Sequence, residues 1–126
     1  MLTDPPDTGG GTPVYNAERC NTERAANPNL LACGFQNGGL RVFDIRDLSN
    51  PKEIAYYKPP APRKAALPGS GSWNQNVDRT YDKISGFARF RKIGGEMQIW
   101  FVSDGNGFQV VRFSDAFIAA HKELFQ

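Results

Sequence analysis

Apolar and polar residues alternate most regularly over residues 30–57 and again over 84–113, and glycine-bearing turns divide both stretches. Alternation sends successive side chains to opposite faces of an extended chain, so each stretch predicts antiparallel strands joined as hairpins. "LLACGF" and "GLRVFDI" make the first hairpin, with Gln36, Asn37, Gly38 and Gly39 between them tolerating positive φ. Along its second strand Leu40, Val42 and Asp44 fall on one face and Arg41, Phe43 and Ile45 on the other, which predicts cover on both sides. In "DIRDLSNP" the side chains of Asp44, Asp47, Ser49 and Asn50 can bond nearby backbone and Pro51 fixes a reversal, so "KEIAYYK" returns as a third strand. "ISGFARFRK" alternates Ile84, Gly86, Ala88 and Phe90 against the rest and turns at Gly94 and Gly95. "EMQIWFVS" and "GFQVVRF" then pair across Asp104, Gly105, Asn106 and Gly107. At the end, Ser114 or Asp115 can cap a short amphipathic helix over 115–125 whose Phe117, Ile118, Leu124 and Phe125 pack inward.

The hairpin occurs twice. Laying "LACGFQNGGLRVFDIRD" over "IWFVSDGNGFQVVRFSD" matches Gly39 with Gly107, Leu40 with Phe108, Val42 with Val110, Ile45 with Phe113 and Asp47 with Asp115. A unit that cannot hide its apolar face alone stacks on neighbours, as propeller blades do. "GGLRVFDIRDLSNPKEIAYY" resembles the LVIVD repeat, a bacterial β-propeller repeat in which a glycine-led strand runs into an Asp-bearing turn ending in Asn-Pro. "MQIWFVSDGNGFQVVRF" is similar to the closing blade of such proteins but lacks the Asn-Pro. The resemblance spans about residues 30–113. It implies an extracellular or periplasmic propeller, at the cell envelope, used for binding or scaffolding, with no family-wide catalytic residue to carry over. A propeller needs at least four blades of roughly forty residues, whereas 126 residues supply two. The expected architecture is all-β: about two antiparallel propeller-like blades with a short C-terminal helix, as the carboxy-terminal portion of such a protein, as a half that completes itself by association, or as a small β domain that borrows the hairpin. Open blade edges present unpaired backbone groups and so invite a protein partner or self-association.

Composition narrows the alternatives. Residues 1–13 are mostly Gly, Pro, Thr and Asp with little to bury, and residues 1–29 as a whole are expected to form a flexible N-terminal segment. Residues 59–80, rich in Pro, Gly and small polar residues, predict a long loop pinned by Trp73. The net charge is +2 with basic residues dispersed, which argues against a nucleic-acid surface. No apolar run approaches the length of a membrane span, and the amino terminus lacks the basic and apolar regions of a signal peptide.

Cys20 and Cys33 stand equally open to a disulfide and to two buried thiols. With His121 they are too few for a closed zinc site. "SDGNG" starts like a calcium loop but lacks the acidic twelfth ligand, so a hairpin turn is expected. "GSGS" at 69–72 follows Pro68 rather than a strand and is no nucleophile elbow, and His121 reads as a solvated surface side chain. Arg89, Arg91 and Lys92 with Arg41 and Arg46 would form a basic patch only if neighbouring blades aligned them. No catalytic constellation, cofactor or metal site emerges. The reading is a non-enzymatic binding or scaffolding module; the alternative is a fragment of a propeller enzyme whose site is shaped by the 59–80 loop.

Overall fold

A computed structural model describes residues 17–35, 38–61, 82–84 and 86–126. Two antiparallel sheets form in chain order. The first contains β1 (Ala17–Thr22), β2 (Leu30–Phe35), β3 (Gly39–Asp44) and β4 (Lys52–Tyr57), and the second contains β5 (Arg89–Ile93), β6 (Glu96–Ser103) and β7 (Gly107–Arg112). Helix α1 (Asp115–Ala120) and a 3-10 turn over Lys122–Phe125 close the chain. The protein is thus all-β with a short C-terminal helix, and its two sheets do not close on each other. The duplicated hairpin is visible in the backbone: Gly39 and Gly107, which lead β3 and β7, have φ of 72° and 73°. Ile45 and Phe113, the paired positions just past those strands, are both buried.

The sheets lie face to face. Leu30, Ala32, Leu40 and Val42 from the first meet Phe90, Ile99 and Phe101 from the second. Each buried aliphatic or aromatic side chain contributes about 1.5–3 kcal/mol, so this shared layer is what holds the sheets together. Packing is tightest at Gly34, where an added Cβ would lie 2.6 Å from Ile84 Cγ2. Tyr57 of β4 reaches across to Phe101, with ring centroids 6.2 Å apart.

At the C-terminus the Ser114 hydroxyl accepts the Phe117 N–H at 3.2 Å, capping α1. The helix is shorter than the expected 115–125: His121 leaves helical geometry and the last residues tighten into the 3-10 turn. Phe113 stacks on Phe117 at 5.2 Å and meets Phe125 edge-on at 5.1 Å, and Leu124 enters the core. Arg24 donates to the Gln126 carbonyl at 3.1 Å, tying the last turn to the β1–β2 connection.

Three expectations need correction or bounding. Residues 17–29 do not belong to a flexible segment, because β1 pairs antiparallel with β2. "AERCNT" has no apolar face, so alternation could not announce it; pairing and a disulfide secure it. Between the pairs Glu18–Gly34 and Asn21–Ala32 the register slips, leaving Arg19 and Cys20 opposite Cys33. Arg19 takes φ of 52°, and this one-residue bulge turns Cys20 towards Cys33. Cys20 and Cys33 are disulfide-bonded, with their Cα atoms 4.1 Å apart. The following connection is held by the Glu23 carboxylate, which accepts the N–H groups of Asn29 at 2.7 Å and Leu30 at 2.9 Å. Residues 1–16 lie outside the described residues.

Second, "ISGFARFRK" is strand only from Arg89; Ile84 makes a lone bridge to Ser103. Ile84, Ala88 and Phe90 still share the buried face that alternation assigned them. Third, most of the 59–80 loop, with Trp73 and "GSGS", and Gln36 and Asn37 of the first turn lie outside the described residues. Within the described part Pro59 is buried and its carbonyl accepts the Asp82 N–H at 2.8 Å.

Candidate functional site

Register decides which side chains of the second sheet can meet a partner. Phe90, Ile99 and Val111 stand opposite one another and face the core, so their chain neighbours face away. On that outer face Val102 stands opposite Phe108, and Trp100 opposite Val110. Directly opposed residues have Cβ atoms about 5 Å apart, so these four make one continuous apolar patch. Val102 is 45% exposed, Phe108 62% and Val110 47%. Trp100 and Phe108 pack edge-to-face at 5.7 Å, and the indole N–H is satisfied by Gln98 Oε1 at 2.9 Å. Within the patch, therefore, two of the rings already pack on each other and the indole N–H is satisfied.

Cations border it. Arg89 and Arg91 on β5 and Arg112 on β7 share the outer face by strand parity. The Arg89 guanidinium lies 5.1 Å from the Phe87 ring, which Arg19 of β1 approaches from 5.8 Å. Arg112 pairs with Asp115 at 2.7 Å and Glu96 at 3.5 Å. The hydrogen bond to Asp115 and the charge of Glu96 hold its pKa above the ordinary arginine value.

The duplicated hairpin shows why this face matters. Leu40 and Val42 of β3 occupy the positions of Phe108 and Val110, yet they are 1% and 2% exposed because the second sheet covers them. The same face of the same unit is thus buried in the first copy and open in the second. The sheets pack head to tail, the front of one against the back of the next, and two sheets packed in this way leave the second one's front face uncovered.

Two polar sites are self-contained by comparison. Asp82 is buried, and its carboxylate accepts the N–H of Gly105 at 2.9 Å, the N–H of Asn106 at 2.8 Å and the Asn106 side-chain amide at 2.9 Å. The "SDGNG" turn therefore points donors at an anion of its own chain, the opposite polarity to a cation loop. At the β3–β4 turn a hollow of about 280 Å³ is lined by Asp44, Arg46, Asp47, Asn50 and Lys52. There Arg46 clamps Asp44 at 2.7 and 3.0 Å and holds its carboxyl below the usual carboxylate range. The Ser49 hydroxyl, donating at 2.6 Å, and then the Ser49 N–H lower Asp47 likewise. These carboxylates stay ionised acceptors that shape the turn; neither is poised as a proton donor.

The residues singled out in the sequence are only partly brought together. Cys20 and Cys33 meet. The five basic residues do not: Arg41 is fully buried on β3, bonded to Glu53 at 2.8 Å and to the Gly38 carbonyl at 2.5 Å, and Arg46 serves the β3–β4 turn. Arg89 and Arg91 share one face, while Lys92 has the opposite parity. His121 is part-exposed, with its ring 4.4 Å from Phe117 and its Nδ1 3.8 Å from Glu123. Among the described residues no group of three or more His, Cys, Asp or Glu side chains is placed to hold a metal, and no helix is long and apolar enough to cross a membrane. The open patch was not legible in the sequence, since alternation marks an apolar face without saying which copy of it will be covered. No protein-family model matches the chain, and no curated protein is similar enough to match it.

Proposed function

We propose that this chain is a non-enzymatic binding or scaffolding module, a partial β-propeller that works through protein–protein contact at the cell envelope. The observation that carries the reading is the outer face of β6 and β7, where Trp100, Val102, Phe108 and Val110 form a pre-packed patch. Its counterpart in the first sheet is wholly buried by a neighbouring sheet. Large exposed apolar patches with a polar border are typical of interaction sites, and Trp and Arg are enriched where binding energy concentrates. The likeness to the LVIVD repeat supports the propeller assignment. The Cys20–Cys33 disulfide supports an oxidising compartment, as the periplasm or cell exterior provides.

The test is a double substitution, Phe108→Glu with Val110→Glu, on side chains already facing water. Immobilised wild-type and variant chains are exposed to the same envelope extract, and retained proteins are quantified. The reading expects a defined partner held by the wild type and reduced at least tenfold on the variant, with both chains melting within a few degrees of each other. Equal retention by two folded chains would remove it.

A further inference from the structure

The geometry points to β7 as the acceptor for a fourth strand supplied by another polypeptide, an inference that rests on the binding reading above and names the form of its partner. The two sheets have the same internal order, and the duplicated hairpin equates β2 with β6 and β3 with β7. In the first sheet the far edge of β3 is occupied by β4, whereas after β7 the chain turns into α1. Among the described residues no strand pairs with the far side of β7. An edge left open in this way offers a row of backbone donors and acceptors to an extended segment.

The chain contains the template for that segment. In the first sheet Tyr57 stands opposite Leu40, Ala55 opposite Val42 and Lys52 opposite Asp44. Carried to the second sheet, these partners face Phe108, Val110 and Arg112. The incoming strand therefore runs antiparallel to β7, placing an aromatic residue beside Phe108 and a small or β-branched residue beside Val110. Its charge requirement is reversed. Asp44 faces Lys52, but its counterpart is Arg112, so a carboxylate belongs where Lys52 stands. The Arg112 side chain is 48% exposed, and its five N–H groups exceed what Asp115, Glu96 and the Phe113 carbonyl engage. An occupant of this kind also lays side chains along the Phe108–Val110 patch, joining backbone pairing to apolar cover.

The test uses synthetic octapeptides and the whole, isotopically labelled protein. The first peptide copies residues 51–58, the second carries Lys52→Glu, and the third is the second with alternate backbone amides methylated. Nitrogen–proton correlation spectra are expected to show shifts concentrated on residues 107–112, saturating at millimolar peptide or below. The Lys52→Glu peptide should bind at least threefold more tightly than the first, and the methylated one should not bind. Shifts on β1 or β4 instead, an unchanged spectrum at saturating solubility, or equal binding of the methylated peptide would overturn the inference. So would a dimer by light scattering whose free spectrum already shows residues 107–112 protected from exchange, because the strand would then come from a second copy and not from a different polypeptide. If the peptides fail while the Phe108→Glu, Val110→Glu variant still loses its partner, the binding reading stands and strand addition falls.

Discussion

Arg41 carries a full charge inside the first sheet, and its stability depends on Glu53, the Gly38 carbonyl and the Tyr56 ring 5.1 Å from its guanidinium. Removing one partner of a buried pair costs about 3–5 kcal/mol, and the partial exposure of Glu53 sets this pair at the low end of that range. Arg41→Ala should therefore lower unfolding free energy by about 3 kcal/mol in urea titration, and Arg41→Lys should recover little, since an ammonium cannot span both acceptors. Gly34 tests the opposite limit, overpacking. Gly34→Ala should destabilise by about 1–3 kcal/mol, because the new methyl lands 2.6 Å from Ile84 Cγ2. An unchanged midpoint would mean that the sheets are not packed as closely as described. Neither role was legible from residue type. Alternation set Arg41 on the face opposite Leu40 and predicted cover on that side too, but it did not reveal the Glu53 and Gly38 contacts that let a guanidinium be buried there, and Gly34 looked like any strand glycine.

At the scale of elements, the hairpins β2–β3 and β6–β7 were readable because alternation, turn glycines and β-branched content agreed. Strand β1 was not, because its sequence is polar throughout and its place depends on a bulge at Arg19 and the bond from Cys20 to Cys33. Its stability should follow that bond. Cys20→Ser with Cys33→Ser is expected to cost about 2–4 kcal/mol and to raise hydrogen exchange first in residues 17–22. Uniform loss across both sheets would instead show that β1 does not unfold separately. The β3–β4 turn adds an acid dependence. Asp44 is lowered chiefly by the Arg46 hydrogen bond and Asp47 by that of Ser49. A depressed carboxylate stabilises the fold fully above its unfolded pKa, near 3.9, and that contribution is lost as pH falls through the folded value. Stability should hold from neutral pH to about 4 and decline below, less steeply in Asp44→Asn, as a pH series of thermal melts would record.

For the whole molecule, sequence established the repeat and the all-β class, and the three-dimensional structure added direction. Leu40 and Val42 look outward from the first hairpin into the second sheet, and Phe108 and Val110 look outward from the second hairpin into water. Pattern alone could not separate these cases, since burial depends on the neighbour that each unit meets in space. Head-to-tail packing means that each added sheet covers one face and presents another, and among the described residues the face presented is that of β6 and β7. The central claim, that the Trp100–Val102–Phe108–Val110 face is a binding surface, is tested most directly by carbene footprinting of the chain alone and after incubation with envelope extract. The account predicts strong labelling of Val102, Phe108 and Val110 in isolation and clear protection of these three in the extract. Labelling that stays the same in both samples, with protection absent or confined to the first sheet, would contradict it.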